Sequence, residues 1–166
     1  MIMQHKIKNL LSTVAVALAL FSCKKEVGPT TDVRPNVSVT VPNAVDFRPE
    51  PTVKTTLATT DSIITIKLAV SSGTIKEVTK IAASTSYTQI QSTGVTGFYT
   101  LGAVTGLNTS EVTFTTTIRQ YYTVHPVAAS NPAPAVNTEL ARRFYFLLTL
   151  DNNSKIVTNP VRVLVL

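Results

Sequence analysis

This 166-residue chain predicts an all-β fold, an antiparallel sandwich of two sheets, and three observations lead there. Thr and Val dominate the sequence, and β-branched side chains favour extended backbone over helix. Several runs alternate apolar and polar residues with a period of two, the pattern of a strand with one buried face. Turn residues separate those runs without helical spacing between them, which argues for hairpins over βαβ units. At 44% hydrophobic and 14% charged, the chain has too much apolar content to stay disordered. Its length suits one domain with a short extra segment.

That extra segment comes first. Met1 to Lys8 carries His5, Lys6 and Lys8 and no acid, and Leu10 to Phe21 is apolar except for Ser12 and Thr13. A basic start, about a dozen apolar residues and a small residue before a cut point describe a helical secretory signal peptide over residues 1–22. The apolar run is short for a membrane span, which needs ~20 residues. Lys24-Lys25-Glu26 and Gly28-Pro29 offer it no amphipathic continuation as a core helix. Residues 23–35, with Gly28, Pro29 and Pro35 among polar neighbours, read as a flexible tether. The folded domain is expected over residues 36–166, enough chain for one core.

Within it, Val37-Ser38-Val39-Thr40-Val41 alternates and stops at Pro42. Ser62 to Val70 sets Ile64, Ile66, Leu68 and Val70 on one face, and Ser71-Ser72-Gly73 marks a turn. Glu111 to Arg119 sets Val112, Phe114, Thr116 and Ile118 inward. Arg143 to Leu150 sets Phe144, Phe146, Leu148 and Leu150 opposite Tyr145, Leu147 and Thr149. Pro160 introduces a last strand, Val161 to Leu166. Thr52 to Thr60 alternates in part, as an edge strand does. Ile75 to Ala83 has apolar residues at Ile75, Val78, Ile81 and Ala82, a spacing that also suits a short helix; Thr79 and the neighbouring strands favour a strand. The glycines of Gly94 to Gly106 suggest bends, bulges or an edge. Pro126, Pro132 and Pro134 make the stretch from His125 to Val136 an exposed loop.

Two resemblances follow. Leu20-Phe21-Ser22-Cys23 resembles the lipobox of bacterial lipoproteins, with an aliphatic residue at −3, a small one at −1 and the chain's single cysteine. The resemblance implies cleavage between Ser22 and Cys23, a diacylglycerol on the Cys23 thiol and a further acyl chain on its amine. Each buried CH₂ contributes ~0.8 kcal/mol, so two or three chains hold durably. Lys24 stands where an Asp would imply inner-membrane retention in enteric bacteria, which implies the outer membrane instead, facing the periplasm or the surface. The Ser-Cys-Lys-Lys-Glu start is similar to lipoproteins of the Bacteroidetes. At the other end, Arg143 to Ser154 followed by Asn159 to Val163 resembles the last hairpin of fibronectin-III and immunoglobulin-like domains. Tyr145 takes the part of the strand-F tyrosine in that comparison, and Asp151 to Lys155 supplies the turn. One cysteine and no tryptophan suit the fibronectin-III version.

Catalytic chemistry is sparse. With the signal removed, one histidine remains, His125, read as a solvated loop residue with no nucleophile in view. The nine acids are scattered, and Asp151-Asn152-Asn153-Ser154 lacks the acid-rich, Gly-centred spacing of a calcium loop. The expectation is a non-enzyme without metal or cofactor. Removing Lys6 and Lys8 leaves 13 basic and 9 acidic residues, a net charge of +4, with Arg142-Arg143 as the one basic pair beyond the anchor. That pattern does not suit nucleic acid, while Lys24 and Lys25 suit an anionic lipid surface. Binding or adhesion in the cell envelope is the expected role, toward a glycan or an envelope protein, with a fimbrial or envelope structural subunit as the alternative. Candidate ligand contacts are Tyr99, Tyr121 and Tyr122, the last two at a strand end where alternation turns one outward. The loops His125 to Thr138 and Gly94 to Asn108 are the expected recognition surfaces. Asp61-Ser62-Ile63 resembles the O-glycosylation acceptor of Bacteroidetes exported proteins, in a chain rich enough in Thr and Ser to produce one such tripeptide by chance.

Overall fold

The computed structural model describes residues 37–58, 61–91 and 104–166. All of them belong to the unit Pro35–Leu166. Ser22, Cys23, the tether and Tyr99 lie outside the described residues. Along the chain run β1 (Val39–Thr40), β2 (Thr52–Thr55), β3 (Ile63–Val70), β4 (Ile75–Ser84), α1 (Thr88–Gln91), β5 (Val104–Thr109), β6 (Glu111–Thr117), α2 (Ile118–Val124), β7 (Thr138–Glu139), β8 (Arg143–Leu150), β9 (Lys155–Val157) and β10 (Arg162–Val165). The alternation over Val37–Val41 yields only the two-residue β1.

One sheet has the order β1-β3-β6, a second β5-β4-β8-β9, and a third β2-β10-β7. All pairs are antiparallel except β2 with β10, which run parallel from Thr52 opposite Arg162 to Thr55 opposite Val165. The fold is all-β and sandwich-like, but the expected two antiparallel sheets are corrected on two counts: a third small sheet and one parallel pair. The C-terminal segment causes both. Residues 155–161 stay beside β8 through the β9 pairing, a Thr158 N–H to Phe146 carbonyl bond of 3.0 Å and a bridge between Phe144 and Val161. From Arg162 the chain leaves β8 and inserts between β2 and β7. The expected hairpin partner of β8 therefore ends at Val161, and the last strand pairs elsewhere.

The core is where alternation put it. Ile64, Ile66 and Leu68 of β3 are fully buried, as are Phe144, Phe146 and Leu148 of β8. Phe114 of β6 reaches Phe144 and Phe146 at ring-centroid distances of 5.8 and 5.5 Å, so the first two sheets share one core. Each such side chain contributes ~1.5–3 kcal/mol on burial. The opposite face of β8 is covered as well: Tyr145 packs with Ala82 of β4 and Ile90 of α1.

β4 resolves the ambiguous spacing of Ile75, Val78 and Ile81. Its register against β8 slips between Ile75 and Glu77 and again between Val78 and Lys80. Each bulge adds one residue and moves the inward phase along by one, turning a period of two into steps of three. All three residues are buried on a strand despite their helix-like spacing.

Candidate functional site

The expected strand through Arg119 gives way to a helix at Ile118. Thr117 is extended (φ −122°, ψ 161°), and its hydroxyl accepts the Gln120 N–H at 3.0 Å, which caps the first turn. Ile118, Tyr121, Tyr122 and His125 then fall at i, i+3, i+4 and i+7, the spacing of one helical face. That face, with its Thr cap, is the signal that alternation over the preceding residues masked.

The two tyrosines consequently separate. Tyr121 is fully buried against Phe144 (6.2 Å) and His125 (5.6 Å). Its hydroxyl donates to Asn131 Oδ1 at 2.9 Å and accepts the Arg142 backbone N–H at 3.1 Å. Burial pushes its phenol up to about 12, against the opposing pull of the Arg142 N–H. Tyr121 is a structural pin and not a ligand contact, which corrects its expected role. Through that second bond Tyr121 is tied to the backbone just ahead of β8. Tyr122 packs edge-on against Tyr121 (4.9 Å, 82°), donates its hydroxyl to the Pro132 carbonyl at 2.7 Å, and keeps part of its ring exposed. Partial burial raises its phenol above the ordinary value.

His125 is not the solvated residue expected. It closes α2, its backbone N–H bonding the Tyr121 carbonyl at 2.9 Å, and it is only 7% exposed. Burial, and then the nearby Arg142 guanidinium, lower its imidazole to about 4, so it is neutral at physiological pH. The Pro-rich loop that follows is exposed but firmly tied. Asn131, 1% exposed, donates through Nδ2 to the carbonyls of His125 (2.6 Å) and Pro126 (3.2 Å). Its backbone and that of Ala128 bond each other in both directions, at 2.9 and 3.0 Å. These bonds offset the chain entropy of a loop with little core of its own.

Between α2 and this loop lies a cleft of about 430 Å³ lined by Ile118, Arg119, Tyr122, Thr123, Val127 and Pro134. Arg119 stands on it in a two-point pair with Asp61 (2.7 and 2.9 Å). From Pro126 to Asn137 the loop has no charged residue, and Val127 and Val136 are 59% and 57% exposed. Of the residues singled out from the sequence, Tyr122 and the loop come together here. Of the other expected surface, Val104 to Asn108 is part of β5, an edge strand, and residues 94–103 lie outside the described residues.

Several other polar groups hold the fold together. Residues 151–154 make the turn between β8 and β9, with Leu150 N–H on the Ser154 carbonyl and Asn153 N–H on the Leu150 carbonyl, both at 2.9 Å, and Asp151 Oδ2 and Asn153 Oδ1 accept from Thr74 and Lys76 across the neighbouring turn. Glu50 pairs with Arg143 and Glu139 with Arg162, both at 2.8 Å. Among the described residues no three His, Cys, Asp or Glu side chains gather as a metal site would require. Ser62, the hydroxyl of the O-glycosylation pattern, is buried at 8% exposure while Asp61 is held by Arg119. No family model, curated protein or solved structure matches the chain.

Proposed function

We propose that this protein is an exported, lipid-anchored, non-catalytic binding or adhesion module of the outer membrane, built on a fibronectin-III-like sandwich and held through Cys23. The lipobox-like Leu20 to Cys23 supports the anchor. A three-strand sheet β1-β3-β6 facing a four-strand sheet β5-β4-β8-β9, with no cysteine pair or tryptophan, supports the fibronectin-III version.

One observation carries the binding role: the apolar cleft beside Tyr122 and its uncharged, tied loop sit at one end of the sheets. Ser38 exchanges hydrogen bonds with Ser71 beyond the C-terminal end of β3, whereas α2 starts beside Ser62 at the other end. β3 spans eight residues, about 25 Å. The described chain therefore begins at the end opposite the cleft. A pre-ordered apolar surface of this kind favours recognition.

Labelling with a palmitate analogue is expected to mark the wild-type protein and not Cys23→Ala; label surviving that substitution overturns the anchor. Residues 36–166 displayed to glycan and envelope-protein arrays are expected to bind a ligand, with the signal lost in Tyr122→Ala and Val127→Asp. Silence on both arrays, or binding indifferent to both substitutions, overturns the recognition surface.

A further inference from the structure

A second cleft, of about 400 Å³, opens where the end of β4 meets the start of β8, lined by Thr85, Glu139, Leu140, Ala141 and Arg143. That volume falls within the ~300–1,000 Å³ of small-ligand sites. It differs from the cleft beside Tyr122 in what its polar groups do. There the donors are used within the fold: the Tyr122 hydroxyl on the Pro132 carbonyl, the Thr123 hydroxyl on the Arg119 carbonyl and the Arg119 guanidinium on Asp61. In the second cleft three groups are left over. The exposed Thr85 hydroxyl makes no hydrogen bond among the described residues. Arg143 sets its Nε 2.8 Å from Glu50 Oε2, and its terminal nitrogens donate no hydrogen bond among the described residues. Glu139 gives Oε1 to Arg162 Nη1 at 2.8 Å, which leaves Oε2 to accept.

Both charges in the cleft are already balanced, Arg143 by Glu50 and Glu139 by Arg162. An anion drawn to Arg143 is repelled by Glu50 and Glu139, and a cation drawn to Glu139 is repelled by Arg143 and Arg162. Arg142, the next cation, does not line this cleft and lies by His125. What the cleft offers is therefore hydrogen bonding without net charge: guanidinium donors in a planar fork, a carboxylate acceptor and a hydroxyl that does both. Vicinal hydroxyls answer that set, because each accepts one hydrogen bond and donates another. We propose that this cleft is a binding site for a neutral sugar unit. Arg143 donates to adjacent ring hydroxyls, Glu139 and Thr85 accept from them, and the C–H edge of the ring lies on Leu140 and Ala141. The site is separate from the cleft beside Tyr122 and does not rest on its role.

No aromatic ring lines this cleft, so a single sugar unit is held too weakly to survive the washing of an array. Binding is therefore read in solution, by saturation-transfer NMR on the full chain in a sugar-free detergent. The probes are the methyl glycosides of glucose, galactose and mannose. Transfer to at least one is expected. Its dissociation constant should rise roughly threefold or more in Arg143→Lys, which keeps a cation against Glu50 but loses the fork, and in Thr85→Val, which keeps the shape of an exposed side chain. No transfer to any of the three, or a dissociation constant unchanged in either variant, overturns the proposal. So does transfer that disappears in Tyr122→Ala, which would assign the sugar to the other cleft. Glucuronate or glucosamine binding more than tenfold tighter than methyl glucoside would mark an ionic site and also overturns it. Should Arg143→Lys not fold, Thr85→Val is read alone on the same terms.

Discussion

His125 is the residue whose environment departs most from what its sequence neighbours suggest. Val124 and Pro126 give it the look of a loop histidine, and nothing local reveals that Tyr121, Asn131 and Arg142 enclose it. The enclosure has a pH consequence. The folded imidazole sits near 4, below the ordinary 6.5, so the unfolded chain takes up the proton first as pH falls. Its contribution is complete above about 6.5 and is lost as pH drops through 4. Over that window the loss is expected to reach about 2–3 kcal/mol. Urea unfolding at pH 7 and pH 4 should therefore differ less in His125→Gln than in wild type. That one of the two adjacent tyrosines turns outward was legible from the sequence, but that Tyr121 is the buried pin was not, because the run reads as a strand until the helix at Ile118 is known. Asn131 gave no signal at all. A polar residue among Pro and Ala reads as solvated until the folded chain delivers two carbonyls and a phenol to it.

Strands with an unbroken period were legible as elements. β3 and β8 bury the residues their alternation assigned, β6 buries Phe114 and Thr116 and half-buries Val112, and β2 is an edge strand as its partial alternation suggested. β4 was only half legible because bulges change the count without changing composition. In α2, β-branched and aromatic residues imitate a strand, and a seven-residue helix is too short for propensity to decide. The parallel partnership of β10 was invisible, since alternation names a strand's buried face and not its neighbour. That partnership makes the C-terminus indispensable. Val161, Val163 and Val165 are fully buried, and their loss removes about 5–9 kcal/mol, comparable with the whole stability of a domain. A chain ending at Pro160 should show a far-UV circular dichroism spectrum of unfolded protein. A folded truncation would revive the strand-exchanging structural subunit, in which this segment is spare.

At the scale of the whole molecule, the charge that first suggests a polyanion partner is dispersed. Arg48 with Asp46, Lys67 with Glu111, Arg119 with Asp61, Arg143 with Glu50 and Arg162 with Glu139 pair at the surface. Exposed pairs contribute ~0–1 kcal/mol each and are screened by salt, while the aromatic and aliphatic core is not. Unfolding free energy is therefore expected to move by less than about 2 kcal/mol between 0.05 and 0.5 M salt, as guanidine-free thermal or urea melts would register. The parallel contact of β2 with β10 also has a mechanical meaning. A pull on the N-terminal side of the chain meets β1 first, which two residue pairs attach to β3 and which peels away like a zip. It next reaches the turn that Asn43 clips to the Thr65 carbonyl of β3, and then β2, lying lengthwise against β10 in four consecutive register positions. There the load runs along the strand pair and strains its bonds together, so tension consumes a short sacrificial strand before it meets the lock that holds the domain closed.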